Sequence, residues 1–335
     1  MNANRGGNNV SPELITEIAV LYYVEGRTQE EISGRLNLSR AKVGRLIKRA
    51  HDEGVVEVRV HHHPALSAQL EHELLARFGL DRALIAIDHR DTELQRAAVA
   101  DRVTRHLDRS LEDGSITAIG MGRNVSAVAD EASPATPRDC TFVGAIGGSQ
   151  RAGEAMNPDH IARRLAASFG GESETLYAPA LVGDSGLRDA LLQNHTVKQT
   201  LDRARRADAA IIGVGDISED SNMVRMGWFS PQEITEARLS GTIGDMLGYD
   251  FIDIQGQPAP VPMEGRVVGL TIRELERIPE VIAVASEKTK AAAILGALRT
   301  GVINTLATSA TNAHSILKLD DATRANTQAG GPKGS

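Results

Sequence analysis

Basic residues are concentrated in one short segment near the start of the chain. Arg40, Lys42, Arg45, Lys48 and Arg49 lie within ten positions, and no acidic residue occurs between Gly34 and His51. A guanidinium can pair with guanine through two hydrogen bonds, whereas the later cations of such a helix suit phosphates. We expect this segment to bind double-stranded DNA, with Arg40 contacting a base or, alternatively, a phosphate.

A helix-turn-helix is the element that would present these cations. Thr28 and Glu31 have capping-box spacing, Asn37 and Leu38 form a turn, and Ser39 caps the basic helix. An ordinary solvated amphipathic helix is the alternative. The predicted DNA contacts are Thr28, Gln29, Ser39, Arg40, Lys42, Arg45, Lys48 and Arg49.

Glycine-rich loops follow three apolar runs in the larger part of the chain. Backbone amides exposed at such loops and at helix starts attract phosphate, although each loop alone also fits a plain strand-to-helix turn. The loop candidates for ligand binding are Gly120, Gly122, Arg123, Asn124, Gly147, Gly148, Gly213 and Gly215.

Two side chains further along could complete such a site. Asp253 can accept hydrogen bonds from sugar hydroxyls, or simply cap a turn. Lys290 begins a predicted helix and can pair with a phosphate or hydroxyl, or face solvent.

Alternating apolar runs and helical periodicities predict the fold class. Strands are expected at 83–88, 115–120, 141–146, 209–212, 266–271, 281–286 and 302–308, and helices at 92–111, 157–169, 288–299 and 310–318. The pattern indicates an α/β protein with a doubly wound, mostly parallel, Rossmann-like domain.

The chain is therefore predicted to have five parts. Residues 1–10 form a tail, 11–60 a winged-type helix-turn-helix domain, 61–79 a linker, 80–319 a large effector domain and 320–335 a flexible tail. The linker carries leucines at four-residue spacing, which predicts an amphipathic helix that docks on the large domain or on a partner chain.

Composition excludes several classes of protein. The 335 residues carry a net charge of −7 and a single cysteine, so we expect no disulfide and no cysteine-based zinc site. No apolar run is long enough to span a membrane and the start lacks a signal peptide, so we expect a cytoplasmic protein. The histidines at 61–63 lack suitably spaced partner ligands, and we predict no metal site and no cofactor.

Several segments together resemble the SorC family of sugar-binding transcriptional regulators. They are the runs 21–32 and 36–46, the glycine–aspartate stretch 241–249 with Asp253, and the lysine segment 285–290. The resemblance implies a large domain similar to sugar-phosphate isomerases, a phosphosugar-type effector, and assembly into dimers and tetramers. The chain departs from the family at Ser286 and Glu287, where two glycines are common.

We therefore predict a regulator of a carbohydrate or polyol operon, controlled by a small phosphorylated sugar or polyol. One alternative is a sugar-phosphate isomerase or deaminase with an appended DNA-binding segment, for which Asp245 and Asp253 are candidate acid–base residues. Another is a nucleic-acid-binding protein whose large domain only oligomerises.

Overall fold

The computed structural model describes residues 11–56, 67–133, 136–218, 221–259 and 265–329. The chain divides into two compact units, Met1–His61 and His62–Ser335. Most of the predicted ribbon at 55–60, the histidines at 61–63 and the tail 1–10 lie outside the described residues.

The smaller unit is a three-helix domain. Helix α1 (Pro12–Ala19) continues through a π-helical turn (Val20–Val24) and is followed by α2 (Gln29–Leu36) and α3 (Arg40–Asp52). Asn37 ends α2 in the left-handed conformation, with φ of 52°. The three helices bury one aliphatic cluster, formed by Ile15, Ile18, Ala19, Leu21, Ile32, Val43, Leu46, Ile47 and Ala50. The predicted helix-turn-helix is confirmed.

Helix α4 (Ala68–Phe78) begins the described part of the larger unit. It lies against strand β1 (Arg82–Ala86) and the last helix, α14 (Ala310–Ala329). Its Leu74 is fully buried in the main core, and Gly79 ends the helix with φ of 67°. Within this chain, the amphipathic helix therefore docks on the large domain.

A twisted sheet forms the centre of the larger unit. Its strands run in the order β1-β9-β8-β5-β2-β3-β4, and all neighbours on this path are parallel. Besides β1, these strands are β2 (Ile116–Ile119), β3 (Thr141–Gly144), β4 (Glu172–Glu174), β5 (Ala209–Asp216), β8 (Glu280–Val284) and β9 (Thr305–Ser309). An antiparallel hairpin of β6 (Thr242–Met246) and β7 (Asp250–Asp253) pairs with the end of β5.

Helices cover both faces of this sheet, which confirms the doubly wound fold. Alternate residues of one strand enter different cores: Val281 and Ala283 pack in one cluster, and Ile282 and Val284 in the other. The helices are α5 (Thr92–Ser110), α6 (Arg123–Asp130), α7 (Pro158–Phe169), α8 (Ser185–Gln193), α9 (His195–Ala204), α10 (Asn222–Arg225), α11 (Pro231–Leu239), α12 (Ile272–Leu275), α13 (Ala291–Arg299) and α14.

Two of the expected elements differ in the structure. Residues 266–271 form only isolated bridges, such as Leu181 with Val267, because this segment crosses other loops rather than extending the sheet. The expected flexible tail from residue 320 is helical as far as Ala329. Asp320 is fully buried there, and ion pairs with Arg299 and Arg324, both at 2.7 Å, hold it in place. No described helix is long and apolar enough to cross a membrane.

Candidate functional site

The basic helix α3 presents its cations at the surface of the smaller unit. Ser39 caps it, since the Lys42 backbone N–H donates to Ser39 Oγ at 3.2 Å. Arg40, Arg45 and Lys48 are exposed, whereas Lys42 and Arg49 are half-buried. The helix therefore offers a charged outer face over an aliphatic inner one, as the sequence pattern predicts.

Two of these cations lie near acidic side chains: Arg40 near Glu30 and Arg49 near Glu53. Arg40 Nη1 lies 3.8 Å from Glu30 Oε2, and both side chains are more than 70% exposed. Arg49 pairs with Glu53, which follows α3. Exposed pairs of this kind contribute little stability, so Arg40 can exchange its partner at small cost.

The two remaining predicted contacts, Thr28 and Gln29, lie at the start of α2. The Glu31 backbone N–H donates to Thr28 Oγ1 at 3.3 Å, and the Thr28 N–H donates to the Glu31 carboxylate at 2.8 Å. This second bond is the main cause of the lowered pKa of Glu31. Gln29 lies over Gly44, where a Cβ would come within 3.3 Å of the Gln29 amide oxygen. Gly44 thus leaves room for the end of the Gln29 side chain.

A cavity of about 410 Å³ opens at the carboxyl ends of β2, β5 and β8 in the larger unit. Ligands of open α/β sheets collect at this edge. Its lining residues combine hydroxyls, charges and methionines, and they are Met121, Gly122, Arg123, Asn124, Met156, Gly213, Val214, Gly215, Asp216, Ser218, Ser221, Met223, Arg225, Met226, Asp245, Gly248, Glu287, Thr289 and Lys290. We call it the strand-end cavity.

Six of the ten predicted ligand residues line this cavity. They are Gly122, Arg123, Asn124, Gly213, Gly215 and Lys290. Gly122 has φ of 107°, a conformation that favours glycine and starts α6 at the cavity wall.

Three of the glycines predicted to bind the ligand do not line the strand-end cavity. Gly120 packs against β5, since a Cβ there would lie 3.1 Å from the Ile211 carbonyl oxygen. A Cβ on Gly147 would lie 2.4 Å from the Ala178 carbonyl oxygen, so close backbone approach accounts for that glycine. Gly148 lines a separate cavity of about 660 Å³ beside Trp228.

Asp253 does not line the strand-end cavity. It ends β7, and its Oδ1 accepts hydrogen bonds from the backbone N–H groups of Gln255 and Gln257, both at 2.8 Å. The carboxylate thus caps the turn after the hairpin, which is the alternative role that its sequence context allowed.

Asp245 on β6 takes the place at the cavity that the sequence analysis gave to Asp253. Its side chain lies over Gly215, where a Cβ would come within 1.9 Å of Asp245 Oδ2. Burial raises the pKa of Asp245 to about 7, although the positive charge of Lys290 opposes this shift. Asp245 Oδ2 has no hydrogen-bond partner among the described residues, and the residue lines the strand-end cavity.

Glu287, one of the two departures from the family's glycines, also lines the cavity. Asn124 Nδ2 donates to its Oε2 at 2.8 Å, and Lys290 Nζ lies 3.1 Å from the same oxygen. Burial alone would raise the pKa of Glu287, but Lys290 and Asn124 outweigh it and lower the pKa to about 2. Ser286 donates to Asn124 Oδ1 at 2.7 Å, which orients the amide toward the carboxylate.

The strand-end cavity can therefore bind a small, polar, polyhydroxylated molecule. It offers cations at Arg123, Arg225 and Lys290 and acceptors at Asp216 and Asp245. In the described part of the chain, no cluster of His, Cys, Asp or Glu could hold a metal ion. The sequence contained a signal for each of the two acidic residues: Asp245 lies in the glycine–aspartate stretch, and Glu287 lies three residues before Lys290.

Comparison with known proteins identifies both units. Residues 62–318 match the family described as "Putative sugar-binding domain", and residues 15–53 match sigma-70 region 4. The transcriptional regulator LsrR of Enterobacter sp. (strain 638) is 30% identical over 316 residues, which are 92% of this chain and 93% of that protein.

Two solved structures agree in fold. The sugar-binding domain of a transcriptional repressor from Vibrio fischeri is 49% identical with a TM-score of 0.71, covering 76% of this chain and all of that one. The full-length sorbitol operon regulator SorC from Klebsiella pneumoniae is 27% identical with a TM-score of 0.72, covering 92% of this chain and all of that one.

These relatives are regulators, so the alternative of an enzyme with an appended DNA-binding segment is set aside. The two matched regions follow each other in the order that the sequence predicts, a DNA-binding helix-turn-helix and then a sugar-binding domain. The chain belongs to the SorC family of sugar-binding transcriptional regulators.

Proposed function

We propose that this protein regulates a carbohydrate or polyol catabolic operon and that a small phosphorylated sugar or polyol controls its binding to the operator. The observation that carries the proposal is the strand-end cavity, which combines Lys290 with the unpaired carboxylate oxygen of Asp245 inside a sugar-binding domain. Relatives that include a regulator named for a sorbitol operon support the polyol class.

The phosphoryl group and the hydroxyls of the effector would bind at different walls of the cavity. Lys290, Arg123 and the start of α6 supply positive charge and backbone N–H groups, which suit a phosphoryl group. Asp245 accepts a hydrogen bond from a hydroxyl, and Ser218 and Ser221 can donate or accept further bonds.

The operator contacts divide between the start and the rest of α3. Arg40 in the first turn reads base edges, with Ser39 and Lys42 beside it, whereas Arg45, Lys48 and Arg49 neutralise phosphates. Thr28 and Gln29 at the start of α2 lie beside the DNA backbone.

The protein works as a homo-oligomer in the cytoplasm. A dimer or tetramer places helix-turn-helix domains on paired operator half-sites, and the effector changes their relative placement and hence operator affinity. Double-stranded DNA and the effector are then its two partners.

Operator binding in the presence of candidate effectors tests this function. Fluorescence anisotropy of the full chain with DNA from upstream of its own and neighbouring genes measures affinity, with and without a panel of sugar and polyol phosphates. We expect one panel member to change operator affinity at least about tenfold, which is about 1.4 kcal/mol. The proposal fails if no such DNA is preferred over random DNA, or if no phosphorylated compound changes the affinity.

A further inference from the structure

The carboxylate of Glu287 lines the strand-end cavity and lies close to several cationic side chains. Besides Asn124 and Lys290, Arg96 approaches it, with Nη2 at 3.4 Å from Oε1. Arg123 Nη2 lies 3.9 Å from the same oxygen. The Glu287 side chain is only 14% exposed, so these donors surround it rather than share it with bulk solvent.

The same donors are those that an anionic ligand group requires. A phosphoryl group binds through charge-assisted hydrogen bonds from guanidinium, ammonium and amide N–H groups. Lys290 is only 12% exposed and its ammonium lies against Glu287, so its charge is largely balanced before a ligand arrives. A second anion beside Glu287 would also be repelled by the carboxylate across a few ångströms of partly buried space.

We propose that the carboxylate of Glu287 competes with the phosphoryl group of the effector for the same donors. Glu287 thereby sets how tightly the cavity binds anionic ligands. Its carboxylate holds Asn124 and Lys290, which line the cavity, and a phosphoryl group binds by displacing it from these two donors. This inference rests on the proposed function, because it concerns the same cavity. It goes further by naming Glu287 as the residue that determines how ligand charge affects binding.

Two substitutions separate charge from size. Glu287→Gln removes the negative charge and keeps the length of the side chain, whereas Glu287→Ala removes both. Glu93→Gln is the matched control: Glu93 also pairs with Arg96, but it is 77% exposed and does not line the strand-end cavity.

Isothermal titration of the full chain with inorganic phosphate, sorbitol 6-phosphate and sorbitol measures the effect. We expect phosphate and sorbitol 6-phosphate to bind at least about tenfold more tightly to Glu287→Ala than to the wild-type protein, with Glu287→Gln between them. The affinity for sorbitol should change less than about twofold, and Glu93→Gln should bind all three as the wild type does. Thermal unfolding of each variant confirms folding, and phosphate should raise the Tm of Glu287→Ala more than that of the wild type.

Equal or weaker phosphate binding by both Glu287 variants overturns the inference, because Glu287 would then be a neutral or favourable part of the binding site. Failure of the proposed function has a different outcome. If Glu287→Ala gains phosphate affinity while no phosphorylated compound changes operator binding by the wild type, Glu287 is the competitor and the natural effector is not phosphorylated.

Discussion

The buried carboxylate of Asp245 should make the stability of the larger unit depend on pH. Burial raises its pKa from 3.8 to about 7, so the folded protein holds a proton that the unfolded chain releases at lower pH. The folded state therefore binds more protons between these two values, and stability falls as pH rises through this window. The loss amounts to about 1.4 kcal/mol per pH unit, or up to about 4 kcal/mol above pH 7.

Asp245→Asn replaces the carboxyl group by a neutral group of similar shape. We expect the variant to be more stable than the wild type above pH 7, with the difference growing from near pH 4 and levelling off above pH 7. Asp250, whose pKa burial raises to about 6, also destabilises the folded state as pH rises, but it is present in both proteins. Glu287, with a pKa of about 2, stabilises the fold above its unfolded pKa and loses that contribution only in more acidic solutions.

Urea unfolding at several pH values between 5 and 8 measures this difference. Trp228, the single tryptophan of the chain, is buried and lies beside Gly248 of the strand-end cavity, so its fluorescence reports on the larger unit. If the free energy of unfolding of Asp245→Asn exceeds that of the wild type by the same amount at pH 5 and pH 8, the carboxylate is not protonated in the folded state and the reasoning is refuted.

Three further predictions concern other parts of the molecule. Lys290→Ala should lose the response to the effector and keep operator binding, because Lys290 lies in the cavity and not in the DNA-binding unit. Asp320→Asn should destabilise the larger unit by about 3–5 kcal/mol in urea unfolding, because the half-buried Arg299 loses its fully buried charged partner. Arg40→Ala should lower the preference for operator over random DNA by about 1–3 kcal/mol, whereas Lys48→Ala should weaken binding to both equally in anisotropy titrations.

Each of these three predictions has a control variant or a result that would contradict it. Lys288→Ala changes an exposed lysine that does not line the cavity and should keep the effector response; an unchanged response in Lys290→Ala removes that residue from the site. Asp321→Asn, at a side chain 67% exposed, should cost far less stability than Asp320→Asn, and equal costs contradict the role of burial. Equal losses on operator and random DNA for Arg40→Ala contradict base reading.

The central strands were predictable because burial on both faces makes them continuous apolar runs. Residues 281–284 and 209–212 are of this kind and lie in the middle of the sheet. The edge strand β4 reads Glu-Ser-Glu, and the hairpin strands β6 and β7 carry aspartates, so no apolar run marks them. The sequence placed residue 320 in a polar tail because the burial of Asp320 depends on contacts with residues remote in sequence, such as Arg299.

Gly122, Gly213, Gly215 and Lys290 could be placed near one another because strand ends in a parallel sheet meet at one edge. The sequence could not decide between Asp245 and Asp253, because both are aspartates of one stretch. Only the register of the β6–β7 hairpin determines which one faces the cavity. That register pairs Asp245 with Phe251 and puts Asp253 at the far end, opposite Thr242. The corner around Glu287 combines residues from α5, α6 and the segment after β8, which no local pattern reveals.

The position of a bound effector tests the central claim most directly. A crystal structure of the full chain, grown with the compound that changes operator affinity most strongly, would show where that compound binds. We predict electron density in the strand-end cavity, with a hydroxyl within hydrogen-bond distance of Asp245 and an anionic group beside Lys290. Density elsewhere, such as in the cavity beside Gly148 and Trp228, with the strand-end cavity filled only by solvent, would contradict it.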